Sequence, residues 1–211
     1  PQVAYRESVR NRVEHDERYV KQTGGKGQYG HVKIVLEPGE EQFEFVDQIT
    51  GGVIPKEYIK SVEKGMKDSM EGGIMAGYEV TNIKVSLIDG SYHEVDSSEM
   101  AFRICASLAF KNACRKADPY LLEPIMEVEV VTPDDYLGDV MGDLNARRGK
   151  VSNLESKGGL QVIKAHVPLA EMFGYATVIR SLSQGRASYV MQFARYEEVP
   201  KTISDKIVNN I

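Results

Sequence analysis

The sequence predicts an α+β chain built as two successive domains, and three observations carry that expectation. In the second half, strand-like and helix-like patterns follow one another in the order β-α-β-β-α-β. In the first half, three strand-like stretches lead into two helical patterns with a further strand between them. The phrase Asp118-Pro119-Tyr120-Leu121-Leu122-Glu123-Pro124 separates the halves, one proline ending a helical pattern and the other preceding a strand. The expected divisions are residues 1–121, 122–199 and a short tail, 200–211. The boundary is short and apolar, which favours domains that pack together over freely swinging ones.

The first-half elements follow in order. Arg18–Thr23, Tyr29–Leu36 and Phe43–Gln48 read as strands. Pro55 opens a helix carrying Tyr58, Ile59, Val62 and Met66, which Gly72-Gly73 ends. Val80–Ile88 reads as a strand, although Val80, Ile83, Val85 and Leu87 alternate only partly in phase. Asp96-Ser97-Ser98-Glu99 reads as a capping box for a long helix through Phe102, Cys105, Leu108, Ala109 and Ala113.

The second half begins with a strand over Ile125–Thr132, after which Thr132 is the expected N-cap and Pro133 the first helical residue, with Asp134 and Asp135 in the first turn. That helix carries the stripe Leu137, Val140, Met141 and Leu144, and Gly149 is its expected C-cap. Lys150–Ser156 and Leu160–Val167 form a hairpin across Lys157-Gly158-Gly159. Pro168 opens a helix bearing Met172, Ala176, Ile179 and Leu182 that stops at Gly185, and a strand through Tyr189, Met191 and Phe193 completes the ferredoxin-like order. After Pro200, Ile203, Ile207 and Ile211 recur at helical spacing with Val208 beside them, which predicts a short docking helix.

Composition narrows the function. With 42% hydrophobic and 27% charged residues the 211-residue chain has the balance of a globular protein. No apolar run reaches the ~20 residues of a membrane span, so a soluble, cytoplasmic protein is expected. The chain opens at Pro1 without a methionine and reads as a piece of a longer protein. A formal charge of -5 speaks against a general nucleic-acid binder, and neither half is net positive, so any RNA contact must be local. Cys105 and Cys114, nine apart on one helix, point to opposite faces and cannot bridge; both are expected to be buried free thiols.

Two loops carry the chemistry. Thr23-Gly24-Gly25-Lys26-Gly27-Gln28-Tyr29-Gly30 places four glycines in eight residues between strands, more than a hairpin turn needs. Glycine lets another backbone come close, while Lys26 offers a phosphate partner, Gln28 an amide and Tyr29 a stacking face. A nucleotide loop is the rival reading, but no Gly-Lys-Ser or Gly-Lys-Thr occurs and no helix follows to aim its N-terminus at phosphate; a long surface hairpin is the plain one. Asp89-Gly90-Ser91-Tyr92-His93-Glu94-Val95-Asp96 joins a strand to the long helix. His93 beside Glu94 could suggest a general base or metal ligand, yet no second His or Cys stands at ligand spacing, so a half-exposed histidine bonding RNA or solvent is the better expectation.

Taken together, Lys21–Val32, Gly90–Glu99, Glu123-Pro124-Ile125-Met126, Gly138-Asp139-Val140, Arg147-Arg148-Gly149 and Gln184-Gly185-Arg186-Ala187 resemble the fourth and fifth domains of the elongation factor G family, in order and across nearly the whole chain. The resemblance implies an elongated α/β fourth domain that mimics a tRNA anticodon arm, followed by a ferredoxin-like fifth domain. It implies a tip made of two loops: Thr23, Gly24, Gly25, Lys26, Gly27, Gln28 and Tyr29, with Gly90, Ser91, Tyr92, His93, Glu94 and Val95. By the same resemblance the tip enters the small-subunit decoding centre of the ribosome and meets the codon-anticodon duplex, the A-site tRNA and mRNA during translocation. The fifth domain would face the sarcin-ricin loop and stalk base of the large subunit, with Arg147, Arg148 and Arg186 as candidate rRNA contacts; solvated helix-end cations are the bland alternative. No catalytic residue, metal or cofactor is expected within these residues, since GTP and magnesium belong to a GTPase domain that they lack. A monomer is expected. A ribosome-recycling paralogue, a tetracycline-protection relative and a small phosphate-handling enzyme are the competing readings, and Gly90–Glu94 favours the translocase over the drug-protection proteins.

Overall fold

The computed structural model describes residues 3–22 and 24–210. They divide into two compact units, residues 6–121 with 199–210, and residues 3–5 with 122–198. The architecture is α+β, with two sheets.

The first unit holds β1 (Arg6–Val9), β2 (Val13–Lys21), β3 (Gln28–Pro38), β4 (Phe43–Asp47), α1 (Lys56–Met70), β5 (Ile83–Ser91) and α2 (Glu99–Lys116), and α5 (Lys201–Asn209) from the tail. Its sheet runs β2-β3-β5-β4, antiparallel except that β4 lies parallel to β5, which α1 connects as a crossover. Val32, Ile34, Leu36, Val85 and Leu87 meet Val62, Met66, Phe102, Cys105 and Phe110 of the helices in one core. Tyr58 stacks on Phe102 with ring centroids 4.9 Å apart, which pins α1 to α2.

Several expectations shift here. β2 begins at Val13, earlier than expected, because Val13–Lys21 pairs residue for residue with Leu36–Gln28. β5 starts at Ile83, because Asn82 takes φ 59° and leaves Val80 bridged only to Glu7; this break is why Val80 is out of phase with the strand. The N-cap of α2 is Ser98, whose hydroxyl accepts from Ala101 N–H, so the third helical residue is Ala101 and no reciprocal glutamate closes a box. Leu108 is 39% exposed while Cys105 and Cys114 are both fully buried. The long helix packs against both the sheet and α1, so two of its faces are covered, and Leu108 falls outside them. β1, hidden from sequence reading, is held by chemistry: the fully buried Glu7 carboxylate accepts backbone N–H bonds from Ile74, Met75, Ala76 and Tyr78 at 2.6–3.0 Å.

The second unit carries β6 (Pro119–Pro133, entering from Leu122), a 3-10 turn at Asp134–Tyr136, α3 (Leu137–Ala146), β7 (Lys150–Lys157), β8 (Leu160–Pro168), α4 (Tyr175–Leu182) and β9 (Ser188–Glu198). The strand order β9-β6-β8-β7, all antiparallel, is the ferredoxin-like one. Val128, Val130, Ile163, Ala165 and Val167 pack against Val140, Leu144, Tyr175 and Ile179.

The phrase read as a separator is itself strand: Pro124 pairs with Tyr196 beside a bulge at Ile125/Met126, a position where a proline is tolerated. Thr132 is not an N-cap, since its hydroxyl bonds Pro133 O and the 3-10 turn intervenes before α3. Met172 lies ahead of α4 and Ala176 is exposed, so the buried face is Tyr175, Ile179 and Ser183 instead. The end of α3 also differs. Arg148, not Gly149, takes the left-handed conformation at φ 58°, with Gly149 N–H to Leu144 O at 2.9 Å and Arg148 N–H to Asn145 O at 3.2 Å. That is a Schellman ending. Gly149 is required for space, because a Cβ there would stand 2.6 Å from Leu144 O.

Candidate functional site

The two glycine- and histidine-bearing segments meet at one end of the first unit's sheet. β2 and β3 carry one, and β5 with the start of α2 carries the other. Gln28, Tyr29 and Gly30 already belong to β3, and Gly90 and Ser91 to β5, so the free loops are shorter than expected: 22–27 and 92–98. Thr23 lies outside the described residues.

The segments are stitched together. Tyr29 N–H donates to Asp96 O at 3.0 Å, and Ser97 Oγ–H donates to Tyr29 O at 2.9 Å. Ser97 Oγ in turn accepts His93 N–H at 2.9 Å, while Ser97 N–H donates to His93 O at 3.1 Å. Tyr58 of α1 adds a hydroxyl bond to Ser97 O at 3.3 Å. Gly27 approaches so closely that a Cβ would stand 3.0 Å from both Asp96 Oδ2 and Lys21 O. Buried Ser97 is therefore the joint between the loops, although its sequence context suggests only a helix cap. His31 lies in the recognisable sequence block without being singled out, and its cross-strand pairing with Ser91 is the signal that would have found it.

The joint leaves a particular set of groups outward. Lys26, Tyr92, His93, Glu94 and Val95 are exposed, and Lys26 makes no ion pair among the described residues. Gln28 turns its side-chain oxygen inward, where no described residue bonds it. The Tyr29 and His93 rings stand 6.2 Å apart, tilted by 48°. His93 Nδ1 accepts N–H bonds from Asp96 at 3.0 Å and Val95 at 3.2 Å. A nitrogen that accepts carries no proton, so Nε2–H is the group His93 offers outward. The Asp96 carboxylate, 3.8 Å from Nδ1, is farther than these donors. Among the described residues no cluster of His, Cys, Asp or Glu is placed to hold a metal ion, and no helix is long and apolar enough to cross a membrane.

Residues 1–118 match the family model described as elongation factor G, domain IV, and residues 120–207 match the one described as elongation factor G C-terminus. The chain belongs to the elongation factor G family. It is 60% identical over 210 residues to elongation factor G of Aquifex pyrophilus, covering 99% of this chain and 30% of that protein. It is 57% identical over 212 residues to elongation factor G of Thermotoga maritima, covering 99% and 31%. A crystal structure of a Thermus thermophilus protein matches with a TM-score of 0.88 at 45% identity, over 100% of this chain and 32% of that one. The chain thus spans under a third of the length of these curated elongation factor G relatives.

The elongation factor G C-terminus segment contains the three arginines singled out in the sequence. Arg147 bonds Asp143 Oδ2 at 2.9 Å and Glu171 O, and lies 4.9 Å over the Tyr175 ring. Arg148 grips Glu123 with both terminal nitrogens at 2.9 Å and reaches Glu171 at 3.3 Å. Glu123 is only 2% exposed, and its carboxylate pushes the Arg148 pKa up. Arg186 is exposed, with no side-chain ion pair among the described residues.

Proposed function

We propose that the chain is the ribosome-entering part of an elongation factor G, and that it promotes tRNA-mRNA translocation by placing the 23–29 and 90–95 tip in the decoding centre. The observation that carries this reading is the Ser97 joint, which makes one surface of two segments far apart in sequence. That surface presents a free ammonium at Lys26, an imidazole N–H at His93 and aromatic faces at Tyr29 and Tyr92, groups suited to phosphate, base edge and base stacking. The acidic total of -5 disfavours indiscriminate RNA binding, so contact is confined to this tip. Of the three candidate arginines in the second unit, Arg186 is the one free to reach rRNA at the sarcin-ricin loop and stalk base, while Arg147 and Arg148 are engaged by internal acceptors and act there only through the surface they shape.

In this reading the chain is a cytoplasmic monomer that works by shape and charge. GTP and magnesium are handled by a GTPase domain outside these residues. The test is Lys26→Glu in the full-length factor, with single-round translocation followed by a fluorescent mRNA. The expected result is a slower step at unchanged GTP hydrolysis, and a parental rate would refute the tip assignment. Hydroxyl-radical cleavage of rRNA from a probe at His93 should map to the decoding region.

A further inference from the structure

Beside the Ser97 joint runs a second chain of side-chain bonds on the sheet face turned away from the helices. Asp16 Oδ1 lies 2.8 Å from His31 Nε2, His31 Nδ1 lies 2.7 Å from Ser91 Oγ, and Ser91 Oγ lies 2.7 Å from Tyr29 Oη. Three adjacent strands supply it: Asp16 from β2, His31 and Tyr29 from β3, and Ser91 from β5, directly across from His31.

Proton counting gives this chain one direction. A carboxylate only accepts, so His31 Nε2 must carry a hydrogen. In neutral imidazole Nδ1 then holds a lone pair, and Ser91 O–H must donate to it. A hydroxyl has one proton, so Ser91 can only accept from Tyr29, whose O–H is committed inward. Tyr29 Oη makes no other hydrogen bond among the described residues, and what it retains for a ligand is lone pairs. Protonating His31 keeps the Nε2–H bond to Asp16 and reverses the other two: Nδ1–H donates to Ser91, Ser91 donates to Tyr29, and the phenol O–H turns outward as a donor.

We propose that His31, oriented by Asp16, is a positioning residue that sets whether the Tyr29 hydroxyl acts as hydrogen-bond acceptor or donor at the tip. With His31 neutral, Tyr29 accepts from an RNA donor, the ribose 2′-hydroxyl, and does not bind phosphate oxygen. This ligand class rests on the RNA reading of the tip, whereas the direction of the chain stands without it. The other charged groups on this sheet face around His31 are Arg18 of β2, its cross-strand neighbour, Lys33 of β3 and Asp89 of β5. The helices pack on the opposite face, where Val32 and Ile34 point.

The test uses the 211-residue chain labelled with 15N and 13C. Long-range proton-nitrogen spectra at pH 8 should show His31 protonated at Nε2 and unprotonated at Nδ1. On acidification the Tyr29 ring carbon bearing oxygen should move with the His31 midpoint. Ser91→Ala should uncouple Tyr29 from that titration, and Ser91→Thr, which keeps the hydroxyl, should restore the coupling. A His31 proton on Nδ1 at pH 8, or a Tyr29 shift that still follows His31 in Ser91→Ala, would overturn the proposal. For the ligand, Tyr29→Phe should weaken binding to an RNA duplex about fivefold, the loss of one hydrogen bond, and leave binding to the 2′-deoxy duplex unchanged. Equal loss on both overturns the 2′-hydroxyl assignment. Binding to neither, with the spectroscopic coupling intact, counts against the RNA reading of the tip and not against the hydrogen-bond chain.

Discussion

The tip of the first unit and the arginine corner of the second are comparable concentrations of polar side chains, and they are wired in opposite senses. At the tip, backbone and hydroxyl groups bond one another through Ser97, and the charged or aromatic ends of Lys26, His93 and Tyr92 are left to the exterior. At the corner the charged ends themselves are consumed, Arg148 by Glu123 and Glu171, Arg147 by Asp143. A cation in a sequence motif is thus informative about binding only after its inward partners are known. Two adjacent arginines beside a buried glutamate are first a clamp that fixes a helix end.

The largest effect expected from this contrast is on the corner. Arg148→Ala leaves Glu123 buried without its bidentate partner, which costs about 3 kcal/mol. Alanine keeps the Cβ that strains this left-handed position, so the substitution brings no compensating relief. Urea unfolding monitored within the second unit should register the net loss. A stability-neutral Arg148→Ala would show that the arginine is a solvated cation and would erase the difference between the two regions.

Ser97→Ala tests the tip from the other direction. It deletes the hydroxyl that donates to Tyr29 O and accepts from His93 N–H, two bonds worth about 1 kcal/mol each. The expected loss is about 2 kcal/mol of local stability, read as faster hydrogen exchange at the Tyr29 and His93 amides with the exchange of α2 beyond its first turn unchanged. Exchange that stays slow at both amides would mean that the loops are fixed by something other than this joint.

Alkali should separate the two regions more gently. Cys105 lies beneath the tip strand, where a Cβ on Gly30 would stand 2.9 Å from its Cβ, and burial pushes its pKa from 9.0 up to about 12. Burial raises Cys114 as well. A thiol whose folded pKa is raised gives up its proton more readily when unfolded, so its contribution is intact below pH 9 and drains away between pH 9 and about 12. By pH 10 the Cys105 part amounts to about 1 kcal/mol. Arg148, whose pKa is raised by Glu123, keeps its charge over the same range. First-unit stability should therefore begin to fall above pH 9, ahead of the second unit, where burial raises the Tyr175 phenol from its ordinary value of 10.0; Cys105→Ala should flatten the first unit's slope between pH 9 and 10, and an unflattened slope would place the loss elsewhere.

Much of this arrangement is visible in the sequence, and the parts that are not have specific causes. The βαββαβ order is readable because Gly158-Gly159 and the stripe Val140 and Leu144 are local signals. Arg148 and Gly149 exchange roles because sequence favours glycine at a left-handed helix end, whereas here an arginine anchored by Glu123 holds that conformation and glycine answers to crowding by Leu144 O. β1 escapes sequence reading because its anchor, Glu7, satisfies a loop about 70 residues away and looks like an ordinary surface acid. The loops are identifiable, yet their joint is not. Ser97 bonds across 68 residues to Tyr29, and no periodicity records a contact of that kind.

The smallest effect is expected at Arg186, the one of the three candidate arginines whose charge is left outward. Its side chain is exposed and unpaired among the described residues, so Arg186→Ala should change stability by no more than about 0.5 kcal/mol. If it meets a phosphate of rRNA, the same substitution in the full-length factor should lower ribosome affinity and reduce the slope of log affinity against log salt by about one counterion. Arg147→Ala should do the reverse, with a clear stability loss and an unchanged salt slope, because its guanidinium is already bound by Asp143 and stacked on Tyr175. Equal salt slopes for Arg186→Ala and the parent would remove Arg186 from the RNA contact.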